Sequence, residues 1–227
     1  VTMLSLLLKG CFSVNSIVPY YQRHSTRLFT DQPVPRETLT EVIRTANHAP
    51  SWENSQPWKV YLAIGKTANA IRSEHFKAVQ AHRKSWTEVT PPLAWQKTAQ
   101  ANIDHWQAST ANFFNETEAH AFHQAGPMLY CAPALIYLTI PRAASAYSAY
   151  DAGAFGYGVL LAAAANGLGA IPAYEIIRYP EEIHAHFDIP DDEVLLMGIA
   201  IGYPAKSKTN ELRTDRRSLG DFVQISD

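Results

Sequence analysis

Arg23-His24-Ser25-Thr26-Arg27-Leu28-Phe29 sets two guanidiniums around a hydroxyl, with one residue between each. In an extended segment a period of two puts Arg23, Ser25 and Arg27 on one face. In a helical turn Arg23 and Arg27 still share a face at i, i+4. Either way two forked cations and a hydroxyl converge on an anion, and arginine grips phosphate through paired, charge-assisted hydrogen bonds. The bland alternative is a solvated basic turn. A second stretch, Ala49-Pro50-Ser51-Trp52-Glu53-Asn54-Ser55-Gln56-Pro57-Trp58, is rich in amides and hydroxyls. These groups donate and accept without net charge, which suits a heterocycle edge or a polyol chain. The alternative is a capped turn that satisfies only its own backbone.

Two further stretches belong with these. Asn166-Gly167-Leu168-Gly169-Ala170-Ile171-Pro172-Ala173-Tyr174-Glu175 reads as a glycine-bearing loop before a short helix near Tyr179-Pro180. It lacks the spacing of a dinucleotide-binding strand-turn-helix, so that reading fails. Its glycines either let backbone N–H groups approach a flat ligand or merely stop a helix. Gly202-Tyr203-Pro204 is followed by Arg213-Thr214-Asp215-Arg216-Arg217, a source of one more phosphate cation or a plain basic tail. His120 with His123, and His184 with His186, have ligand-like spacing, but no cysteine or carboxylate set completes either pair, so no metal is expected. No Ser-His-Asp or Cys-His constellation stands out.

The elements that must position these residues follow from periodicity. Leu39, Val42, Ile43 and Ala46 predict an amphipathic helix over 36–48, with Pro35 in its first turn and Pro50 beyond its end. Trp58, Val60, Leu62 and Ile64 alternate as a half-buried strand. Residues 66–126, broken by Pro91-Pro92, read as a helical excursion from the sheet. Ala134–Ile140 and Glu193–Ile201 read as buried strands. Tyr150–Leu168 carries no polar stripe and is predicted to be a helix buried on every side, in the core or at a dimer interface. Its Gly153, Gly156 and Gly158 let a neighbour come close. The order strand, helices, strand, helix, strand implies an α+β or α/β sandwich around a central sheet.

Composition narrows the classes. The net charge of −2 argues against nucleic-acid binding, which wants a basic face. Charged residues make up 18%, below the usual share of about a quarter, which fits surface hidden in a subunit interface. Cys11 and Cys131 define neither a disulfide framework nor a four-ligand zinc site. No apolar run approaches the ~18 residues of a membrane helix. The apolar stretch Met3–Leu8 lacks a preceding basic residue and a cleavage site, so a cytoplasmic protein without membrane contact is expected.

The ordered combination of Arg-x-Ser-x-Arg, Pro-Ser-x-x-Asn-Ser-Gln-Pro-Trp, Gly-Leu-Gly-x-x-Pro and Gly-Tyr-Pro with a terminal arginine cluster resembles the FMN-dependent nitroreductase family. The resemblance runs from about residue 17 to the C-terminus and is weakest over 66–126. It implies a single domain over 1–227 with a mostly antiparallel sheet flanked by helices, in an intertwined homodimer. It implies tight, non-covalent FMN, with NADH or NADPH as donor and a nitroaromatic, quinone or similar acceptor reduced by ping-pong hydride transfer at flavin N5, without a catalytic side chain. Flavin reduction for a partner, dehalogenation, flavin fragmentation, or a flavin sensor or store without turnover are the alternatives.

By the same resemblance Arg23, His24, Ser25 and Arg27 hold the phosphate and ribityl chain, joined by Arg216, with Arg213 and Arg217 as substitutes. Pro50, Ser51, Trp52 and Asn54 reach the partner's flavin, supported by Gln56. Pro172, Ala173 and Tyr174 lie at the N5 edge. Trp52, where the family commonly has a small residue, and Tyr174 are the expected substrate contacts. A lysine or asparagine from the excursion is expected at the flavin's pyrimidine edge.

Overall fold

The computed structural model describes residues 18–226. The apolar run Met3–Leu8 and Cys11 lie outside them. After α1 (Val18–Gln22) the chain runs extended, and Pro35 then opens α2 (Arg36–Ala46), which buries Leu39, Val42 and Ala46. A 3-10 turn at Trp52–Asn54 leads to β1 (Lys59–Ile64). Three helices follow: α3 (Gly65–Gln80), α4 (Lys97–Phe113) and α5 (Glu116–Ala125). Asn115 and Glu118 close a reciprocal capping box at the start of α5. Then come β2 (Ala134–Pro141), α6 (Ala146–Ala165), β3 (Gly169–Ala173), a 3-10 turn Tyr174–Ile177, α7 (Pro180–His184), β4 (Glu193–Gly202) and α8 (Lys208–Glu211).

The four strands form one antiparallel sheet in the order β1-β2-β4-β3, with Val60 opposite Leu138 and Ile171 opposite Ala200. Successive side chains of a strand point to opposite faces. Ile136, Leu138, Ile199 and Ile201 therefore meet Val42, Phe155 and Val159 of α2 and α6. Leu135, Tyr137 and Ala200 meet Ile71 of α3 and Ile176 and Ile177 of the turn after β3. A core on both faces explains the continuously buried run of β2, which reads as apolar without alternation.

Two expectations change. Gly169–Ala173 is a strand, not a loop. It is short, carries Pro172, and forms because β4 offers it a pairing edge, the position in a sheet that tolerates proline. Helix α6 is not buried on every side within one chain. Tyr150 is 77% exposed and Tyr157 41%, and Tyr147 is also open. The small residues serve the opposite side: a Cβ on Gly158 would stand 3.2 Å from Ala46 Cα, and one on Gly156 3.3 Å from Leu138 Cδ1.

One polar knot ties the sheet together. Lys59, Tyr61 and Thr139 all donate to the carboxylate of buried Glu193. Burial pushes the Glu193 carboxyl up, but the bonds from Lys59, Thr139 and Tyr61 outweigh it and hold it below its ordinary value of 4.5. A depressed folded pKa gives stability that is present above 4.5 and lost as the pH falls through the folded value. Glu193→Gln is therefore expected to lower Tm at neutral pH, with the gap to the wild type closing under acid in parallel thermal melts.

Candidate functional site

The segment 23–29 is extended, so the alternative in which every second residue shares a face holds. Ser25 bridges in parallel to Ala170 of β3, and Phe29 bridges to Pro204 beyond β4. Thr26 N donates to Ala170 O at 3.2 Å and Phe29 N to Tyr130 O at 3.3 Å. Thr26 is fully buried against Gly169, where a Cβ would stand 2.3 Å from its Oγ1. With Thr26 turned inward, Arg23, Ser25 and Arg27 turn outward. Asn210 of α8 locks this arrangement. Its Oδ1 accepts from the backbone N–H of Arg27 at 2.8 Å and of Leu28 at 3.2 Å, and its Nδ2 donates to Leu28 O at 2.7 Å.

The outward side chains line a cleft of about 460 Å³ with Tyr20, Tyr21, Tyr157, Arg213, Thr214 and Arg216. Among the described residues its lining contains four arginines and no carboxylate. Among the described residues none of Arg23, Arg27, Arg213 and Arg216 stands in an ion pair. Arg213 Nη1 donates to Asn210 O at 2.7 Å, and Arg216 Nη1 to Thr214 Oγ1 at 2.8 Å. Arg27 Nη1 reaches only Ser25 O, at 3.3 Å, while its Cζ lies 5.2 Å from the centroid of Phe122 on α5. Burial pushes the Arg27 guanidinium below its ordinary value. His24 is likewise held below 6.5, first by burial and then by the charges of Arg213, Arg23 and Arg27, against a bond from its Nδ1 to Gln22 O. The cleft is thus strongly positive and partly dry, a place that favours an anion with several acceptor oxygens. Arg217 does not line it; its guanidinium lies over Phe222 at 5.2 Å.

The amide-rich loop sits elsewhere on the chain. Pro50 lines a groove with Tyr20, Tyr157 and Gly158. Ser51 Oγ accepts from Gln56 N at 2.9 Å, and Gln56 Nε2 donates to Asn54 Oδ1 at 3.0 Å. Glu53, Asn54 and Gln56 all have positive φ, which stores strain in a loop held by its surroundings. The anchor is Asp151, a buried carboxylate in the apolar helix α6, whose Oδ2 accepts from Trp52 N at 3.0 Å. The exposed Trp52 ring packs edge-on to Tyr147 at 4.5 Å.

Pro172 and Ala173 end β3, and Tyr174 opens the following turn half exposed. Pro172 also lines an apolar cleft of about 340 Å³ with Gly153, Gly156, Tyr157, Leu196 and Met197. One chain therefore brings Arg23, His24, Ser25, Arg27 and Arg216 into one cleft. It leaves the 50–56 loop outside that lining. Asp151, Asn210 and Tyr157 carried no signal in the sequence: each lies far along the chain from what it touches. His184 and His186 bond Glu88 and Glu74 at 2.9 and 3.0 Å, and among the described residues no cluster of three or more ligand side chains could hold a metal. Among the same residues no helix is long and apolar enough to cross a membrane.

Residues 20–203 match the Nitroreductase family. The nitroreductase NfnB of Mycolicibacterium smegmatis is 26% identical over 217 residues, covering 90% of this chain and 89% of the relative. A 4-nitrobenzoate reductase of Nocardioides is 23% identical over 190 residues, 80% of this chain and 77% of that protein. The crystal structure of the FMN-dependent nitroreductase NfnB from Mycobacterium smegmatis in complex with NADPH shares the fold. It superposes with a TM-score of 0.83 at 24% identity, over 92% of this chain and 96% of that one.

Proposed function

The chain belongs to the nitroreductase family, and on that premise we propose that it is an FMN-dependent oxidoreductase. It takes electrons from NADH or NADPH and delivers them to electron-poor acceptors such as nitroaromatics and quinones, donor and acceptor occupying one place in turn. The observation that carries this reading is the carboxylate-free cleft of four arginines and Ser25. A phosphomonoester dianion is the group whose charge and acceptor oxygens match that donor set. FMN, when bound, supplies the two-electron chemistry at its ring; the protein supplies position and field.

Arg23, Ser25 and Arg27, with Arg213 and Arg216, hold the phosphate, and His24 adds its backbone. Pro172, Ala173 and Tyr174 carry the ring edge, with the Tyr174 backbone N–H as its donor. Pro50, Ser51, Trp52 and Asn54 face the second protomer's site, with Trp52 and Tyr174 bordering the acceptor. The homodimer is supported by the open tyrosine face of α6 and by a C-terminal segment that leaves Leu219, Phe222 and Ile225 exposed. Such a tail suits the apolar cleft over Leu196 and Met197 on a second copy. Sedimentation at micromolar concentration tests this, and a predominantly monomeric holo-protein would sink the shared site.

The absorbance spectrum of the purified protein, before and after anaerobic NADH and then NADPH, tests the activity. Flavin bands should bleach with a donor and return with a nitroaromatic. A protein that is colourless and refuses added FMN overturns the reading. Two residue-level outcomes follow. A phosphate on the guanidiniums that depress His24 favours its protonated form, so FMN should raise the His24 midpoint in an NMR titration. A midpoint that stays or falls would place the phosphate elsewhere. Asp151→Ala frees the Trp52 loop and should raise the acceptor KM about tenfold, the scale of losing a hydrogen bond to a charged group. Asp151→Asn keeps the acceptor oxygen and should stay near wild type, and an unchanged KM in Asp151→Ala would remove this role.

A further inference from the structure

We propose that Phe122 of α5 is a positioning residue for the anion cleft: its ring holds the Arg27 guanidinium by one face and leaves the N–H groups in the guanidinium plane free for a phosphomonoester. The inference rests on the FMN reading above and deepens it, since it names a residue by which the cleft prefers FMN to the same flavin without its phosphate. Phe122 lies in the helical excursion, far along the chain from Arg27, and acts on a ligand only through that arginine.

Arg27 is held at both ends. Asn210 Oδ1 accepts from its backbone N–H at 2.8 Å, which fixes where the side chain starts. At the far end its Cζ lies over the Phe122 ring, 5.2 Å from the centroid. That is within the reach over which an aromatic face attracts a cation. A guanidinium is planar, and its N–H donors point outward in that plane. A ring on one face therefore orients the group and consumes no donor. Among the described residues one of these donors is engaged, by Ser25 O at 3.3 Å. Burial pushes the guanidinium below its ordinary value, so the contact lies in a partly dry place, where cation–π attraction is stronger. The ring itself is braced. Phe122 packs on Phe114 at 5.1 Å, and Phe114 on Phe113 at 4.9 Å. Phe114 is buried, and Lys208 Nζ stands over Phe113 at 4.4 Å. Lys208 and Asn210 belong to the same short helix α8, so one element steadies both the aromatic row and the backbone of Arg27. Helix α5 meets the core through Ala125, its buried residue, whereas Phe122 stays half buried. A long arginine loses rotamer freedom when it closes on a phosphate. Phe122 removes that freedom before the ligand arrives, and preorganisation of this kind appears as affinity.

The test is a fluorescence titration of the flavin-free protein with FMN and with riboflavin. Wild type should bind FMN the more tightly. Phe122→Leu keeps apolar bulk and removes the ring face. It should weaken FMN about three- to tenfold, the scale of one partly desolvated cation–π contact, and leave riboflavin unchanged. Phe122→Tyr returns a ring and should return the FMN affinity. In an Arg27→Ala background Phe122→Leu should change FMN affinity by less than about twofold, because the ring has nothing left to hold. Should Phe122→Leu fail to fold, Phe122→Met carries the same comparison. Unchanged FMN affinity in the ring-less variant, equal loss of both flavins, or a loss that persists without Arg27 overturns the proposal. A purely structural role would weaken both flavins alike and would ignore Arg27. The two readings fail separately. A wild type that does not prefer FMN overturns the phosphate cleft, and this proposal with it, before any variant is made. A wild type that prefers FMN, with a Phe122→Leu protein that binds it equally well, loses only the role of Phe122.

Discussion

Replacing Arg27 by alanine is expected to strip the protein of most of its FMN at working concentrations. Arg27 is half buried, and its guanidinium finds one carbonyl at 3.3 Å and an aromatic face, with no carboxylate. A cation taken out of water in this way is compensated by whatever anion enters the cleft. Losing a hydrogen bond to a charged group costs about 1.5–3 kcal/mol, which is roughly ten- to a hundredfold or slightly more in Kd. The sign of a second readout separates binding from folding. Without flavin, Arg27 is a desolvated charge with no ion-pair partner among the described residues, so the flavin-free Arg27→Ala protein should melt at or above the wild-type temperature. Unchanged FMN affinity in a fluorescence titration would remove Arg27 from the site. A large drop in flavin-free Tm would show that its role is structural.

Gly169→Ala should damage the fold and the cleft together. The new Cβ would stand 2.3 Å from Thr26 Oγ1 and 2.8 Å from its Cβ and Cγ2, distances no packed methyl tolerates. Thr26 is fully buried, so neither side yields without backbone movement. Overpacking of this kind costs about 1–3 kcal/mol. The movement falls on the pairing of segment 23–29 with β3, which sets where Arg23, Ser25 and Arg27 point. FMN affinity should therefore fall alongside Tm. Adding Thr26→Ala removes the hydroxyl and methyl and should recover part of both. A Gly169→Ala protein with wild-type stability and affinity would mean that the segment does not depend on this contact.

Much of the fold was legible because the relevant signal is local. The spacing of Leu39, Val42 and Ala46 reports one buried helix face, and α2 follows it to within two residues of the expected end. The unbroken apolar run of β2 reports a strand covered on both sides. Strand β3 was not legible: Pro172 and two glycines argue for a loop, and only the free edge of β4 turns them into a strand. For the same reason the choice between core and dimer interface for helix α6 could not be read locally. An apolar helix in sequence says that its surface must be covered, and does not say by which chain.

The cleft divides in the same way. The sequence by itself determined which groups were available: two arginines around a serine, a terminal arginine cluster, an amide-rich loop, and an order of motifs that resembles one family. Residue type and short spacing decide such matters, because an extended segment places every second side chain on one face whatever lies around it. Only the tertiary structure decided that segment 23–29 is extended, since β3, Tyr130, Tyr203 and Asn210 supply its hydrogen bonds. Only it brought Arg213 and Arg216 to Arg23 and Arg27, turned Arg217 away, and gave Asp151 the Trp52 loop to hold. Apart from the stacking of Arg217 on Phe222, those contacts join residues about a hundred or more positions apart, and no local periodicity encodes a meeting that depends on how helices and strands pack around a shared core.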